Sequence, residues 1–523
     1  MADCKVMIMA FVRSVEPRNP ELDMLKPMVR QVEELRKRQL PATFLLQYDA
    51  LLEDRYVDLF RDEPLFDKGL WLETVQPLVE AVGLPWRGRY PWDWHAHCGF
   101  LVGYTPEERM LLIDEAFSLF KKRFGYYPTA VGSWVIDAFS MRYMEQTYHV
   151  RAAAMCREQW GMDGYSLWGG YFSQGYYPND KNVLCPAQSA EHRIGIPVFR
   201  KSSSDPIYDY DFDLDYEKQN EGLRIPLTVM EATCDHGGAE PTWVDWTFDI
   251  NRKPYAQPFG LVDIGQENSF SWELMEKGIL LDYERADSLR AAGAADVLTL
   301  TQLGDWYRET FPDTPPCSLY AEKDNKGVPR GSLWYQSRYY RVNLYFDESR
   351  MWIRDMHLYE EAYEERYLSD VTTTHTFCYD ALPITEGRLW SDHSVRAGLY
   401  ICDADTKLPV SGKASPQIED MAENGKRIVW ESQKGTVVME LRESSLAVHL
   451  PDNELLLRNV YLKTGEEPVP FVSGEGQTLH AIHNGFAYTL NLTQGRLQLR
   501  EDDLLFFPDE EGIIRMEFLS SEK

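Results

Sequence analysis

The chain has 523 residues, of which 44% are hydrophobic and 26% charged, so it can bury a large core and is not a disordered or low-complexity protein. Lys and Arg number 54 against 83 for Asp and Glu, a net charge of −29 that disfavours binding to nucleic acid or to an anionic membrane. Because it has no stretch of about 18 apolar residues, no basic leader and no Cys-x-x-Cys pair among its 8 cysteines, we expect a cytoplasmic protein without a membrane span or zinc ribbon.

Strand and helix patterns alternate through the first part of the chain. Residues 5–12 form an unbroken apolar run, which is typical of a strand buried on both faces of a parallel sheet. Thr105, Pro106 and Glu108 form a capping box that opens a long helix ended by Gly125. Further strands are predicted at 41–47, 69–73, 130–136, 150–155, 227–231, 259–264 and 297–300, and further helices at 22–38, 55–60 and 272–292. This repetition predicts parallel strands with helices outside them, in a barrel or an open α/β sheet.

The pattern changes in a polar stretch at residues 322–331. Helix signals are few beyond it, and Asn-Gly pairs at 424–425 and 484–485 are typical of hairpin turns. We therefore predict a C-terminal all-β region. The predicted parts are an α/β domain over 1–320, a connecting β-rich segment over 321–398 and a β-sandwich-like domain over 399–523.

Acidic side chains follow several of the predicted parallel strands. The carboxyl ends of such strands meet at one face, where functional residues collect. Paired carboxylates at one mouth could cleave a glycosidic bond, since one protonates the leaving oxygen while the other attacks or stabilises the anomeric carbon. Each acid taken alone is equally well explained as a helix cap or an ion-pair partner. The acids are Glu73, Asp137, Glu158, Asp163, Glu231, Asp235, Asp263 and Glu267.

Aromatic and histidine side chains gather in the loops between these strands. Trp94 precedes His95 and His97, and Trp168 lies in a Gly-rich aromatic loop after the fifth strand. Such rings could stack on sugar faces, or pack together as a lid. The two histidines could ligate a metal with Asp93 or Asp235, contact sugar hydroxyls, or make structural hydrogen bonds. The pair Asp235 and His236 is open to the same choice between sugar contact and loop cap.

Short motifs in this order resemble known enzyme families. Trp134-Val-Ile-Asp137 resembles the Trp-x-x-Glu nucleophile motif of family 57 glycoside hydrolases and is similar to the nucleophile segment of family 38 mannosidases. Asp263 to Glu267 with the following Trp272 resembles the family 57 acid/base motif, and residues 69–73 its Gly-x-x-Glu motif. Residues 95–128 resemble the polysaccharide deacetylases. The resemblance implies a (β/α)7-type distorted barrel over about residues 5–310, followed by the all-β region.

Two departures from these families bear on the chemistry. The first strand ends in Phe11-Val-Arg-Ser-Val-Glu16, without the His of family 57 or the metal-binding Asp or His of the deacetylases and family 38. Asp137 stands where family 57 has Glu, which shortens the side chain by one methylene.

The sequence therefore predicts a retaining glycoside hydrolase without a cofactor that acts on an oligosaccharide or glycoside. Asp137 is the predicted nucleophile, and Asp263 or Glu267 the acid/base. One alternative is a metal-dependent carbohydrate deacetylase on the same barrel, with the metal at His95 or His97. The other is a non-catalytic carbohydrate-binding protein. The predicted substrate contacts are Glu73, Trp94, His95, His97, Trp134, Asp163, Trp168, Asp235, His236 and Trp272.

Overall fold

The structure is a computed structural model, and it describes residues 2–162, 165–167, 169–210, 228–378, 380–451, 453–462, 468–501 and 503–518. Side chains are described in all these ranges except at residues 159–162 and 165–167. A curled sheet of parallel strands forms the first part of the molecule, and a long antiparallel series forms the second.

The first part contains all the longer helices. Its strands are β1 (Cys4–Val12), β2 (Ala42–Leu46), β3 (Phe66–Trp71), β4 (Ala130–Ser133), β5 (Ala152–Cys156), β6 (Gln159–Met162), β7 (Tyr165–Leu167), β8 (Gly175–Tyr176), β9 (Val198–Lys201), β10 (Ala256–Gln257), β11 (Gly260–Ile264) and β12 (Ala295–Leu298). The helices are α1 (Leu25–Arg38), α2 (Tyr48–Leu52), α3 (Asp54–Phe60), α4 (Gln76–Ala81), α5 (Ala96–Gly99), α6 (Pro106–Phe124), α7 (Ala138–Tyr148), α8 (Pro241–Ile250), α9 (Trp272–Ala291) and α10 (Leu300–Thr310). The predicted capping box at Thr105 and Glu108 forms at the start of α6.

The parallel sheet has the order β11-β1-β2-β3-β4-β5-β9, with β12 paired to the first half of β1. All nine residues of β1 are buried, as its apolar run predicts. Val6, Ile8 and Ala10 join the core shared with the helices, whereas Met7 and Met9 join the core inside the curled sheet. The period of two thus separates an outer face from an inner one.

A side chain, rather than a strand ladder, joins the two edges of the curled sheet. No ladder links β9 to β11 within the described ranges. At their carboxyl ends, Asp263 Oδ2 accepts a hydrogen bond of 2.6 Å from the Ser202 N–H. Asp263 Oδ1 accepts bonds from the Ser203 N–H and hydroxyl at 2.7 and 2.6 Å. These contacts close the sheet at the side we call the mouth, where β1, β3, β9 and β11 end, and the α/β class with a barrel-like sheet is confirmed.

One predicted strand is wrong. Residues 228–231 make only a single bridge, between Val229 and Ser204. The position beside β5 is taken by β9 instead. Its sequence, Val-Phe-Arg-Lys, mixes apolar and charged residues and so has no strand signal in the apolar pattern. The two cations are accommodated because β9 lies near the edge of the sheet and ends at the mouth.

The second part is an antiparallel series. Its strands are β13 (Cys317–Ala321), β14 (Gly331–Gln336), β15 (Tyr340–Phe346), β16 (Met351–Leu358), β17 (Leu382–Thr385), β18 (Gly398–Asp403), β19 (Gln417–Asp420), β20 (Lys426–Ser432), β21 (Gly435–Arg442), β22 (Ser445–His449), β23 (Leu455–Val460), β24 (Phe471–Gly476), β25 (Thr478–His483), β26 (Phe486–Gln494), β27 (Arg496–Arg500), β28 (Asp503–Phe507) and β29 (Ile513–Glu517). Trp352 of β16 pairs with Tyr400 of β18, so strand pairing is continuous across residue 398. The division at residue 399 stays an interpretation.

The antiparallel part holds the loops that follow β5 and β9. Gln336 accepts from the Phe172 N–H at 2.6 Å and donates to the Ser173 carbonyl at 3.1 Å. Arg354 donates to the Ile207 carbonyl at 2.6 Å. The second part of the chain therefore fixes the surroundings of the mouth. No helix in the described ranges is both long and apolar enough to cross a membrane.

A substitution at Gly265, which follows β11, tests how closely β11 packs against β1. The φ of this glycine is +113°, and a Cβ built there would lie 2.4 Å from the Met9 carbonyl oxygen of β1. We expect Gly265→Ala to lower the free energy of unfolding by more than the roughly 1–2 kcal/mol that a left-handed alanine costs, because β1 and β11 must also separate. Gly293→Ala is the matched control, since its φ is +68° and its Cβ would meet nothing within 4 Å. Urea denaturation of both variants measures the difference, and equal losses would contradict the close packing at Gly265.

Candidate functional site

The polar side chains of the mouth follow from the alternation of the strands. In five strands the last apolar residue of the inner core is followed two positions later by a polar one. Since side chains two residues apart lie on the same face, these polar groups continue the inner face of each strand. The pairs are Phe11 and Arg13, Leu45 and Gln47, Trp71 and Glu73, Phe199 and Lys201, and Leu261 and Asp263.

Arg13 joins two of the predicted acids. It donates to both oxygens of Glu73, at 2.7 and 3.0 Å, and to Glu267 Oε2 at 2.8 Å. Glu73 also accepts from Gln47 at 2.6 Å and from the indole N–H of Trp134 at 2.7 Å. We call these five residues the Arg13 cluster. It brings Glu73, Trp134 and Glu267 together, although the first two are occupied with structural hydrogen bonds.

Lys201 forms a second cluster beside the first. Its ammonium lies 3.9 Å from Glu231 Oε1 and 3.3 Å from the Ser202 hydroxyl, which itself lies 3.4 Å from Glu231. We call Lys201, Ser202, Ser203, Glu231 and Asp263 the Lys201 cluster. Burial alone would lower the pKa of Lys201, but the nearby carboxylates, Glu231 foremost, outweigh burial and raise the pKa above its usual value. The lysine is therefore charged at neutral pH.

Backbone strain marks the same cluster. Ser202 has a φ of 60°, in the left-handed region that few residues other than glycine adopt. The strained residue places its own N–H and that of Ser203 on Asp263. Such strain persists only where the surrounding contacts enforce it, and it concentrates at functional sites.

Asp137 lies in a different environment. It is completely buried at the start of α7, where it accepts from the Ser140 N–H at 2.9 Å and from the Ser140 hydroxyl at 2.7 Å. Arg109, also fully buried, donates to it at 3.0 Å. These are the contacts of a helix cap and a buried ion pair. The contacts of Asp137 are separate from both mouth clusters, and its role as nucleophile stays a prediction.

The two predicted histidines belong to a histidine rim, formed by His95, His97 and His375 with Asp93. His375 comes from the loop between β16 and β17, and its ring centroid lies 4.1 Å from that of His95 and 5.4 Å from that of His97. Asp93 Oδ1 lies 2.7 Å from His95 Nδ1. Trp94 stacks beside His95, with ring centroids 5.6 Å apart. Burial lowers the pKa of both His95 and His97.

The remaining predicted contacts are scattered. Trp272 is buried in the first turn of α9, with the Arg30 guanidinium of α1 over its ring at 5.5 Å, so it packs on the helix side of the sheet. Asp235 and His236 lie exposed in a turn beyond Glu231. Asp163 and Trp168 lie outside the described residues. The structure thus brings together Glu73, Trp134 and Glu267 in one cluster and Trp94, His95 and His97 in another, and it does not bring Trp272 to the mouth.

The residues that the structure describes at the mouth do not fit a metal ion. β1 ends in Arg13 rather than in Asp or His, and its guanidinium already holds Glu73 and Glu267, while Lys201 lies beside Glu231. The ring centroids of His95 and His97 are 6.0 Å apart. Each acidic cluster already contains a positively charged side chain, which supplies the charge balance that a metal ion would otherwise provide.

A group that could hold a metal lies instead on the antiparallel part. Asp355, His357 and Glu386, all buried, offer ligand atoms within 4.8 Å of one another. His357 Nε2 is 2.6 Å from Glu386 and 3.3 Å from Asp355. Asp355 also accepts from Arg341 at 2.9 Å and from the Tyr210 hydroxyl at 2.6 Å. Arg341 thus already places one cation beside these carboxylates.

Sequence reasoning missed the cations of the mouth. Arg13 and Lys201 stand at the ends of strands, where only acids and histidines were considered as catalytic groups. Glu231 was noted but not selected. Arg13 and Lys201 each lie two residues after an apolar inner-face residue, Phe11 and Phe199 respectively. The alternation of side chains along a strand could therefore have predicted that both cations lie on the inner face.

No family model matches the sequence, and no curated protein matches it. The chain is similar to the solved structure of a protein from Parabacteroides distasonis assigned as a glycoside hydrolase/deacetylase, with 14% identity and a TM-score of 0.50 over 72% of this chain and 91% of that one. It is also similar to a protein from Mycobacterium smegmatis assigned as a polysaccharide deacetylase, with 12% identity and a TM-score of 0.35 over 59% of this chain and 91% of that one. The expected resemblance to the glycoside hydrolase/deacetylase barrels is confirmed for the fold.

The environment of Asp137 predicts a large effect on stability. Replacing it with alanine leaves buried Arg109 without its carboxylate, and we expect the free energy of unfolding to fall by about 3–5 kcal/mol. Ser140→Ala removes one hydroxyl bond to the same carboxylate and should cost about 1 kcal/mol. Urea denaturation compares them. A stable Asp137→Ala protein that has lost all turnover would instead support a nucleophile.

The histidine rim predicts a pH dependence of stability. Burial lowers the pKa of His95 and His97 in the folded protein, so between pH 7 and 5 the unfolded chain binds more protons and folding becomes less favourable as the pH falls. The double variant His95→Gln/His97→Gln should lose less Tm between pH 7 and 5 than the wild type. The exposed His480→Gln variant is the control, and an unchanged slope in the double variant would contradict the prediction.

Proposed function

We propose that the protein is a carbohydrate-active hydrolase with its active site at the mouth, and that it removes an acyl group from a sugar. The observation that carries this proposal is the Lys201 cluster, in which a charged ammonium and the Glu231 carboxylate lie side by side in a buried setting. A base next to a fixed positive charge is what hydrolysis of an ester or amide requires.

The reaction uses these two groups in turn. Glu231 takes a proton from water as the water oxygen attacks the acyl carbon, and the carbonyl π electrons move onto the carbonyl oxygen. The Lys201 ammonium stabilises that oxyanion, which is worth more in a water-excluded site than in solution. When the oxyanion collapses, the bond to the sugar oxygen or nitrogen breaks. The leaving atom receives the proton from Glu231, and the acid and the free sugar group are released.

The other charged residues of the mouth keep this pair in position. Asp263 fixes the backbone of Ser202 and Ser203, which follow Lys201 directly. Arg13 holds Glu267, whose carboxylate helps to raise the pKa of Lys201. A dry site needs such rigid ion pairs because uncompensated buried charges are costly.

Aromatic side chains at the rim support a sugar as the substrate. Tyr90 is 42% exposed and stacks on Trp94, with ring centroids 6.1 Å apart and planes inclined by 12°. Arg18 and Arg89 lie over the Trp94 ring at 4.9 and 5.3 Å. Flat rings flanked by hydrogen-bond donors suit the apolar face and the hydroxyl edge of a pyranose. The likeness in fold to a protein assigned as a glycoside hydrolase/deacetylase agrees with this substrate class.

We propose deacetylation without a metal ion, because the described side chains at the mouth do not form a suitable set of metal ligands. Glycoside cleavage is the second candidate, since Glu231 and Glu267 are each 9% exposed and both act on the same ammonium. Two carboxylates about 5–5.5 Å apart would give retention at the anomeric carbon. Asp263 or Glu267 as the acid/base remains open in that case.

Acyl release from acetylated aryl esters and acetylated oligosaccharides tests the proposal, with aryl glycosides assayed in parallel. We expect Glu231→Gln to lower kcat by about 10²–10⁴-fold and Lys201→Met by about 10²–10³-fold. Asp67→Asn is the matched control, because this acid accepts from Thr301 at the opposite end of β3. Chelation should leave the activity unchanged. Wild-type acyl release by Glu231→Gln would refute the proposal, and release of reducing sugar alone would favour the second candidate.

A further inference from the structure

Arg157 is a buried cation whose guanidinium has no hydrogen-bond acceptor among the residues that the structure describes. It follows β5 at the mouth and is 2% exposed. Its side chain makes no hydrogen bond or ion pair with any residue that the structure describes, and its Nε is buried without an acceptor. Its backbone N–H donates to the Lys201 carbonyl at 3.0 Å, which ties it to the Lys201 cluster.

Neighbouring buried arginines show how unusual this is. Arg200, 1% exposed, donates to the carbonyl oxygens of Cys156 at 2.7 Å and Tyr171 at 2.8 Å. Arg341 donates to both oxygens of Asp355 and to Glu158. Proteins rarely bury a guanidinium without such acceptors, because the desolvated charge costs several kcal/mol. A bound ligand is the simplest source of the missing acceptor.

The surroundings of Arg157 point to the kind of ligand. The guanidinium lies 5.3 Å from the centroid of the Phe172 ring, a flat apolar neighbour. Glu158 Oε2 and Asp209 Oδ1, both buried, also have no hydrogen-bond partner in the described part of the chain, and both carboxyl groups act electrostatically on Arg157. Burial, together with Asp205, raises the pKa of Asp209 well above its usual range. The site therefore has one unpaired cation and two groups able to bond hydroxyls.

We propose that Arg157 binds the carboxylate of the substrate, so that the sugar acted on at the mouth is a uronic acid. A planar carboxylate matches the guanidinium fork with two parallel hydrogen bonds. The hydroxyls of the same ring would supply the partners that Glu158 and Asp209 lack. This inference rests on the proposed function for its sugar substrate.

A carboxylate fits better than a phosphate group. Asp263 is the carboxylate that acts most strongly on Arg157, and Glu158 is the next residue along the chain. A doubly charged phosphate would meet strong repulsion from these acids, whereas a singly charged carboxylate balances one guanidinium.

The experiment measures Tm and binding by calorimetry for glucuronate and galacturonate, against glucose and galactose of the same ring size. We expect uronates to raise the Tm of the wild type and neutral hexoses to leave it unchanged. Arg157→Met should have a higher Tm than the wild type without ligand, because an unpaired buried charge is removed. It should bind uronates on the order of 10- to 100-fold more weakly. Arg200→Met, the matched control, should have a lower Tm, because its guanidinium is fully bonded.

A second variant keeps the proposal testable if Arg157→Met does not fold. Arg157→Lys keeps the charge but loses the fork, and should weaken uronate binding while leaving the Tm near that of the wild type. Uronates that do not distinguish wild type from either variant, a lower Tm for Arg157→Met with unchanged binding, or a response to sulfated sugars instead of uronates would each overturn the proposal.

The measurements distinguish a failure of the Arg157 proposal from a failure of the proposed function. Glu231→Gln should keep the uronate response while losing acyl release, because binding needs no base. If acyl release occurs only from neutral sugars and uronates leave the Tm unchanged, the proposed function stands and the role of Arg157 falls. If uronates bind through Arg157 but no bond is cleaved, the reverse holds.

Discussion

The hydrogen bonds from the backbone of Ser202 and Ser203 to the Asp263 carboxylate are the constraint on which the site depends. Within the described ranges no ladder joins β9 to β11, and this carboxylate ties the two strands together at their carboxyl ends. It thereby sets the width of the mouth and the position of Lys201, which precedes the two serines. A side chain that would commonly be assigned to catalysis here performs the task that a strand ladder performs in a closed barrel.

Charge compensation is the second principle of the mouth. The acidic groups that the alternation of strands directs inward lie beside a cation or a backbone N–H, which offsets the cost of burying a carboxylate. In the proposed reaction, Arg13 and Lys201 take the place that a divalent cation could hold and supply electrostatic stabilisation. Arg157 departs from the pattern, and for that reason it carries information about the ligand.

Much of the fold could be predicted from the sequence. The apolar run of β1 and the capping box of α6 are local signals, and both form as expected. β9 was missed because two of its four residues are charged. A search for apolar residues cannot detect a short strand whose last residues are charged groups of the site. In the site, Glu73 and Glu267 were expected at one mouth and both bond Arg13, which the sequence analysis did not select; the roles assigned to the two acids stay predictions. Sequence gives the face on which a side chain lies, whereas the distance between two strands' side chains depends on sheet curvature, which no short motif encodes. Asp137 illustrates the limit, since a motif match cannot tell an acid in a cleft from a helix cap.

The ion pair between Arg13 and Glu267 spans 254 positions of the sequence. During synthesis on the ribosome, β2 emerges soon after β1 and can pair with it, whereas β11 and β12, which pair along its other edge, emerge much later. Because Arg13 and Glu267 lie so far apart in the sequence, the mouth can form only after β11 has been synthesised. Until then one edge of β1 would have unpaired backbone groups, and exposed strand edges of this kind promote aggregation.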